Sequence, residues 1–382
     1  MPPSPSRPAV SALIRRTVYG LRTEGTGAGR EAAAMGLGTF IGCSPFYGFH
    51  FAICWAVGWL LGLNRLKMYL ASNISNPLFA PFLVMAEVQA GAWARRGPLY
   101  TFHLDTIDFR VLGFDLLVGS GIVGSIVGIV VGAVTFATLH ESAADLESTE
   151  IVRRASDRYL NTSMTAWEFA RGKLRGDAVY RDTLAQGLLR SGTTLLDVGC
   201  GQGLMLAFLV DARRTFADRR WPSRWPPPPE FDRLIGVERR PRMARLARQA
   251  LGSAAEIVEG DARDHMPPGC DAILLFDVLQ MMPAAAQEAL LASLAASLQP
   301  GGVMLVREAD ASAGWRFHAV RTGNSLKAYV SGSWRQRFHF RSVQDWQACF
   351  ASLGLDAVPQ LSDNGRRANV LFRITRRTSS RL

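Results

Sequence analysis

Leu195–Gly203 reads LLDVGCGQG, a pattern suited to holding a ligand against bare backbone. Two leucines and an Asp-Val pair end an apolar strand. Gly199, Gly201 and Gly203 then recur at alternate positions, and Leu204–Val210 (LMLAFLV) opens a helix. Glycine accepts the left-handed backbone of a tight turn and places no side chain between chain and ligand. The free N–H groups of the helix start favour anions and lone pairs. Strand, glycine turn and helix in this order make the nucleotide-binding corner of an open α/β sheet. The spacing is Gly-x-Gly-x-Gly, distinct from the Gly-x-Gly-x-x-Gly of dinucleotide binding.

The elements that must position this turn are legible downstream. Leu234–Glu238 (LIGVE) is a short apolar strand ending in an acid, the group that accepts hydrogen bonds from ribose hydroxyls in such folds. Gly260-Asp261-Ala262 follows a strand-like Glu256–Glu259. Ala272–Val278 (AILLFDV) is a fourth strand, ending in Phe276-Asp277. Leu298–Glu308 (LQPGGVMLVRE) carries a Pro-Gly-Gly turn into a fifth. These five features in this order resemble the S-adenosylmethionine (SAM)-dependent methyltransferases with a Rossmann-like fold. The resemblance implies a seven-stranded sheet flanked by helices. It places Asp197, Gly199 and Gly201 at the methionine and ribose end of SAM, and Glu238 on the ribose hydroxyls. Asp261 and Ala262 fall at the adenine, and Asp277 faces the methionine amine. A Rossmann-type domain for another nucleotide is the alternative reading of the same residues.

One spacing departs from the pattern. The acid normally lies about 20 residues past the glycine turn, whereas Gly203 and Glu238 are 35 residues apart. The excess is Arg213–Asp232, with RRWPSRWPPPPEF inside it. Consecutive prolines continue neither helix nor strand, so this is a surface loop in extended form. It is either a tolerated insertion, or a place where Trp221 and Trp225, beside five arginines, touch a membrane or partner.

The charged residues of Trp167–Tyr180 (WEFARGKLRGDAVY) cap the cofactor pocket by analogy with this fold, and Lys173 is suited to pair with the methionine carboxylate. The stretch resembles the Lys-Leu-Arg-x-Asp segment of methyltransferases encoded in bacterial aryl polyene pigment clusters, as does Arg307–Phe340. Methyl transfer from a sulfonium asks mainly for alignment. An oxygen or carbon nucleophile also asks for a base, and the candidates are Glu308 and Asp310 at the end of the fifth strand, His318, and His339. Trp315, Phe317, Phe338 and Phe340 make an acceptor pocket or core. Asn369–Ile374 (NVLFRI) is read as a final, antiparallel edge strand.

The first third of the chain follows different rules. Ala32–Leu63 contains no charged residue, and Leu112–Leu139 has only Asp115 in 28 residues. A helix of about 20 apolar residues spans a bilayer. Gly119, Gly121, Gly124, Gly128 and Gly132 give the small-xxx-small spacing of close helix contacts in membranes. Gly36–Pro81, with its Ser-Pro-x-x-Gly turn and Ile-Ser-Asn-Pro motif, resembles an uncharacterised bacterial membrane domain family. Pro45, Pro77 and Pro81 interrupt its apolar runs. Asn73, Asn76, His50 and Glu87 either join helices by hydrogen bonds or line a ligand- or lipid-handling cavity.

Composition agrees with this division. Formal net charge is +11, from 43 Lys and Arg against 32 Asp and Glu. The arginines are scattered and no nucleic-acid module is present, so the excess is assigned to an anionic membrane face. Cys43, Cys54, Cys200, Cys270 and Cys349 form no Cys-x-x-Cys pair and no zinc spacing. The expected organisation is an α-helical transmembrane domain over residues 1–140, a charged connector over 141–162 and an α/β methyltransferase over 163–382. Such a chain sits in a bacterial inner membrane as a multi-pass protein with its enzyme in the cytoplasm, where SAM is. Arg15, Arg16, Arg22 and Arg30 favour an inside N-terminus. The acceptor is a small hydrophobic or carrier-bound molecule. A non-catalytic membrane protein whose C-terminal domain only senses SAM fits the same motifs.

Overall fold

The structure is a computed structural model that describes residues 19–20, 27–97, 108–139, 143–330, 336–360 and 368–377. Arg15, Arg16 and Arg22 lie outside the described residues. The chain forms two compact units, Met1–Ser142 and Ala143–Leu382.

The first unit is helical: α1 (Ala28–Gly42), α2 (His50–Leu61), α3 (Arg65–Ser72), α4 (Ala80–Arg96) and α5 (Phe109–Leu139). Pro45 and Pro77 fall in the breaks between helices, as their missing N–H groups require. Pro81 does not interrupt anything. It stands in the first turn of α4, where no intrahelical N–H bond is lost. The polar groups at the breaks serve local backbone rather than neighbouring helices. Asn73 Nδ2 donates to the Tyr69 carbonyl at 2.7 Å, and Asn76 Oδ1 accepts from the Leu78 N–H at 3.0 Å. Among the described residues, α5 is the one helix long and apolar enough to cross a membrane. The other helices of the unit are shorter than the roughly 20 residues a bilayer asks for.

Glycines set how closely α5 meets its neighbours. A Cβ at Gly128 would lie 2.7 Å from the Gly36 carbonyl of α1, and one at Gly119 only 1.6 Å from the Glu87 carbonyl of α4. Gly121, on the same spacing, faces open space. Asp115, the single charge of the apolar run, is fully buried and paired with Arg95 and Arg96 of α4.

The second unit carries a seven-stranded sheet in the order β3-β2-β1-β4-β5-β7-β6. Its strands are β1 (Gly192–Val198), β2 (Phe231–Glu238), β3 (Glu256–Glu259), β4 (Cys270–Phe276), β5 (Leu298–Ala309), β6 (Leu355–Gln360) and β7 (Asn369–Arg376). The first five are parallel, and β7 is antiparallel to both β5 and β6. The NVLFRI segment is therefore antiparallel as expected but is not the edge. That place goes to β6, which the sequence hid. β6 (LDAVPQ) has no long apolar run, and its Pro359 is tolerated because an edge strand has a free side. The helices are α6 (Ala143–Asp157), α7 (Met164–Gly176), α8 (Ala178–Ala185), α9 (Leu204–Ala217), α10 (Pro241–Leu251), α11 (Ala284–Ser297), α12 (Trp315–Val330) and α13 (Val343–Ser352). Apolar strand residues such as Leu196, Ile273, Leu275, Met304 and Val306 pack with Leu291, Trp346 and Phe350 into one core.

Two segments differ from their sequence reading. The stretch 141–162, expected as a charged connector of helical character, is largely helical, as α6 and a following 3-10 turn, but it packs onto the unit, with Ile151, Ala155 and Tyr159 fully buried. Its charges are ties rather than solvent-facing spacers: Arg158 donates to Asp211 of α9 at 2.9 Å. The proline-rich insertion also folds onto the unit. Trp225 is buried and its Nε1 donates to Glu147 of α6 at 2.9 Å, with Trp221 edge-on at 5.6 Å.

The glycine contacts give a direct test. Gly119→Ala forces apart two helix backbones and should destabilise the first unit by about 1–3 kcal/mol or more, while Gly121→Ala should be nearly neutral. Denaturation of the purified full chain in detergent, followed by helical circular dichroism, separates the two. Equal stability of both variants would refute the close α4–α5 contact.

Candidate active site

The carboxyl ends of β1, β2, β3 and β4 converge on the glycine turn, because parallel pairing aligns Val198 with Val237 and Leu275. Gly199, Gly201 and Gly203 all have positive φ, at 69°, 60° and 75°. Packing alone explains Gly199, where a Cβ would lie 2.5 Å from Val278. Gly201 differs. The nearest atom to a Cβ there is the Arg240 guanidinium, at 3.8 Å. This is the open face of the turn, where a ligand can lie on bare backbone.

Glu238, at the end of β2, is buried and aimed at that face. Its Oε2 accepts the Gly201 N–H at 2.8 Å, and its Oε1 accepts the Arg240 N–H at 2.8 Å and Arg240 Nε at 2.9 Å. Asp197, at the end of β1, is also buried. Burial pushes its carboxyl up to about 8, with the negative charge of Glu238 adding to the effect. Gly260 follows on, its N–H donating to the Glu238 carbonyl at 3.2 Å. Asp261 is partly exposed and clamps Arg263 through Nε at 3.0 Å and Nη2 at 2.8 Å, which holds its carboxyl down at about 2. Ala262 packs on the core beside it. The glycine turn, Glu238, Gly260 and the two residues after it thus form a continuous rim.

The other wall contains a group that sequence reasoning missed. Arg307 of β5 is buried and bonds three ways: to both carboxylate oxygens of Asp277, and through Nη1 to Asp177 at 2.7 Å. Asp177 in turn accepts from Lys173 Nζ at 2.6 Å and caps α8. Burial works against the charge of Asp177, but Arg307 and Lys173 overcome it and hold the carboxyl well below the usual range. Lys173 is therefore at the outer end of a chain of alternating charges, half-exposed, rather than alone over the pocket. The only sequence signal for Arg307 was a cation at the end of an apolar strand. Its partner lies 130 residues earlier.

The candidate bases occupy varied settings. Glu308 is buried, and burial, aided by Asp277, pushes its carboxyl well up. Its Oε1 accepts the Leu279 N–H at 2.7 Å, so it holds the loop after β4 and is not presented to solvent. Asp310 accepts the Ser312 N–H at 2.9 Å and the Val343 N–H at 3.3 Å, joining the β5 end to α13. His318 is exposed on the first turn of α12 beside Phe317, and His339 is exposed with its N–H on the Gln280 carbonyl. Phe340 meets Phe317 edge-on, with centroids 5.0 Å apart, and stacks on Phe338 at 6.0 Å.

Asp197 makes stability pH-dependent. A free aspartate loses its proton near pH 4, whereas in the fold Asp197 keeps it up to about 8. Between these values the folded state binds the extra proton, so stability is lost as pH rises through the window. Thermal melts of the cofactor-free protein should show the melting temperature falling from pH 5 to 8, and falling less in Asp197→Asn. Parallel slopes for the two proteins would refute the assignment.

Comparison with known proteins agrees with this geometry. Residues 18–144 match a family described as an uncharacterized protein conserved in bacteria (DUF2062), and residues 167–360 match one described as a methyltransferase domain. A stretch of 132 residues is 33% identical to the carboxy-S-adenosyl-L-methionine synthase of Chromohalobacter salexigens, over 33% of this chain and 43% of that protein. Another, of 128 residues, is 35% identical to the trans-aconitate 2-methyltransferase of Azoarcus sp., over 33% of this chain and 43% of that protein. The chain spans less than half the length of these curated relatives. Among solved structures, magnesium protoporphyrin IX methyltransferase from Synechocystis PCC 6803 with bound SAH aligns at 15% identity and a TM-score of 0.38, over 56% of this chain and 88% of that one. The methyltransferase match takes in more than half of the 382 residues, and the chain belongs to that family as a SAM-dependent methyltransferase joined to a DUF2062 domain.

Proposed function

We propose that this protein is a membrane-anchored enzyme that moves the methyl group of SAM to a small hydrophobic or carrier-bound acceptor. The observation that carries the cofactor reading is the 2.8 Å bond from the Gly201 N–H to Glu238 Oε2 at the open face of the turn. A buried carboxylate beside bare backbone is what a ribose with two vicinal hydroxyls asks for. When bound, SAM supplies a methyl group on a sulfonium, electrophilic without further activation. Glu238 would hold the ribose, with Arg240 moving off its oxygens. Asp261 and Ala262 would bound the adenine. Asp197, Gly199 and Gly201 would line the methionine and ribose end. Asp277 would take the ammonium and Lys173 the carboxylate of the methionine. These residues orient the methyl carbon, and alignment is the main source of rate.

The acceptor reading rests on the surface at the ends of β4 and β5. Trp315 is 75% and Met281 46% exposed there. The aromatic segment is fastened to the loop after β4, with Gln336 Nε2 donating to the Met281 carbonyl at 3.0 Å and the His339 N–H to that of Gln280 at 2.8 Å. Exposed apolar side chains beside a methyl-donor site suit an apolar acceptor. Pigment or other secondary-metabolite biosynthesis is the setting that the Lys173–Asp177 and Arg307–Phe340 resemblances favour.

Residues 1–140 would be the integral anchor and 163–382 the enzyme. α5 is 31 residues long, and Trp59, Leu60, Leu78, Phe82 and Ile129 are all more than two-thirds exposed. In water such a surface aggregates, whereas lipid covers it at no cost. SAM is made in the cytoplasm, which puts the enzyme there and the anchor in the inner membrane.

Two measurements test these readings. Glu238→Ala should weaken SAM binding by about 1.5–3 kcal/mol through loss of charge-assisted hydrogen bonds. Calorimetry on the full chain in detergent checks this, and unchanged affinity removes Glu238 from the ribose. Carbonate and high-salt washes of membranes should leave the full chain in the pellet, and release into the supernatant would refute integral insertion.

A further inference from the structure

Among the described residues of the first unit, one buried acid has no neighbour that neutralises it. Among its described residues, Glu31 pairs with Lys67 at 2.8 Å and Asp115 with Arg95 and Arg96. Asp108 is exposed and accepts the Arg110 N–H at the start of α5. Glu87, in the middle of α4, is fully buried, and neither of its carboxyl oxygens has a hydrogen-bond partner. The α5 backbone closes on it at Gly119. Cys43 and Tyr47, of the turn between α1 and α2, lie within its electrostatic reach. Arg95 and Arg96, two turns along the same helix, are committed to Asp115.

A bare carboxylate in such a place carries a desolvation cost that nothing here repays. Two states escape it. A bound metal cation needs several further oxygen ligands around it, and no cluster of acidic, histidine or cysteine ligands occurs among the described residues. A proton needs neither space nor ligands. We propose that Glu87 is a proton-binding site of the membrane unit, exchanging through the Cys43–Phe49 turn. That turn interrupts the helices: Pro45 follows the end of α1, His50 Nε2 lies 3.1 Å from the Ser44 carbonyl, and Tyr47 stands half-exposed between Phe46 and Phe49. An ionisable residue inside a membrane unit is costly enough that such positions serve transport or sensing. The proposal goes beyond anchoring and rests on the membrane placement above.

The test uses the full chain in native membranes and two carbodiimides, one membrane-permeant (dicyclohexylcarbodiimide) and one water-soluble. The protonated acid gives its proton to a carbodiimide nitrogen while its oxygen adds to the central carbon, and rearrangement leaves a stable N-acylurea that mass spectrometry locates. The permeant reagent should label Glu87 about tenfold or more above Glu31 and Asp115, whose oxygens are paired with Lys67, Arg95 and Arg96 while those of Glu87 are not. The water-soluble reagent should leave Glu87 unlabelled, and Glu87→Gln should lose the adduct. A Glu87 peptide recovered without adduct from wash-resistant protein overturns this proposal alone, as does equal labelling by both reagents. Protein released by the carbonate wash overturns the membrane reading and this one with it.

Discussion

The buried guanidinium of Arg307 is the interaction on which the geometry of the methyltransferase unit depends. It joins Asp277 at the end of β4 to Asp177 at the α7–α8 junction. Taking a charge out of water costs several kcal/mol, repaid only when the partners are well placed. Here both are, and Lys173 completes an alternating row. The row also holds backbone. Asp277 has φ of 60°, a conformation that costs about 1–3 kcal/mol without surrounding support. Glu308, the next residue on β5, grips Leu279 two residues later. Consecutive strand residues point to opposite faces, so β5 fixes the loop after β4 from both sides. The wall that would face the methionine is therefore set by a strand that contributes no residue to the cofactor motif itself.

The two units solve the problem of buried charge differently. In the methyltransferase unit, most buried acids have a cation beside them, Asp211 with Arg158, two aspartates with Arg307 and Glu238 with Arg240, while one Glu308 oxygen is left without a partner. Among the described residues of the helical unit, the buried acid left without a partner is Glu87. The helical unit relies on backbone contact instead of a large core, since its described helices meet through glycines and present their long apolar side chains outward. That is the arrangement expected when lipid, not water, surrounds the helices, because burying leucine against leucine then gains little.

Legibility in the sequence followed the range of the interactions. The glycine turn, the acid at the end of β2 and the strand before Asp277 are local patterns, each decided by residues within one turn or strand of one another. They lie where the pattern put them, and so do the breaks at Pro45 and Pro77. Long-range partners left no such trace. Nothing near Arg307 names Asp177, and nothing in Glu308 says that one of its oxygens holds the Leu279 N–H. β6 was hidden because an edge strand needs little apolar patterning. The 141–162 segment read as a spacer because its charges are conspicuous, while the apolar face of Ile151, Ala155 and Tyr159 emerges only when α9 is there to meet it.

That last segment changes how the two parts of the chain can be understood as joined. α6 runs antiparallel to α9 and is fastened along its length: Glu147 to Trp225, Arg154 to Asp218, Arg158 to Asp211, and then Tyr159 Oη to the Gln202 carbonyl at 2.7 Å. Glu147 lies at the insertion, near the amino ends of the strands, and Tyr159 reaches the glycine turn at their carboxyl ends. Twelve residues of helical rise carry the chain about 18 Å up the side of the enzyme. A free linker of this length would have let the active site range over a membrane surface, with an effective concentration set by its length. Fastened to α9, it gives no such reach. What it gives is a tie from the turn that follows α6 to the Gln202 carbonyl of the glycine turn, through the Tyr159 hydroxyl. The Arg154 and Arg158 ion pairs hold the helix to α9 and its end, and the proline-rich insertion, by burying Trp225 against Glu147, holds it nearer its start.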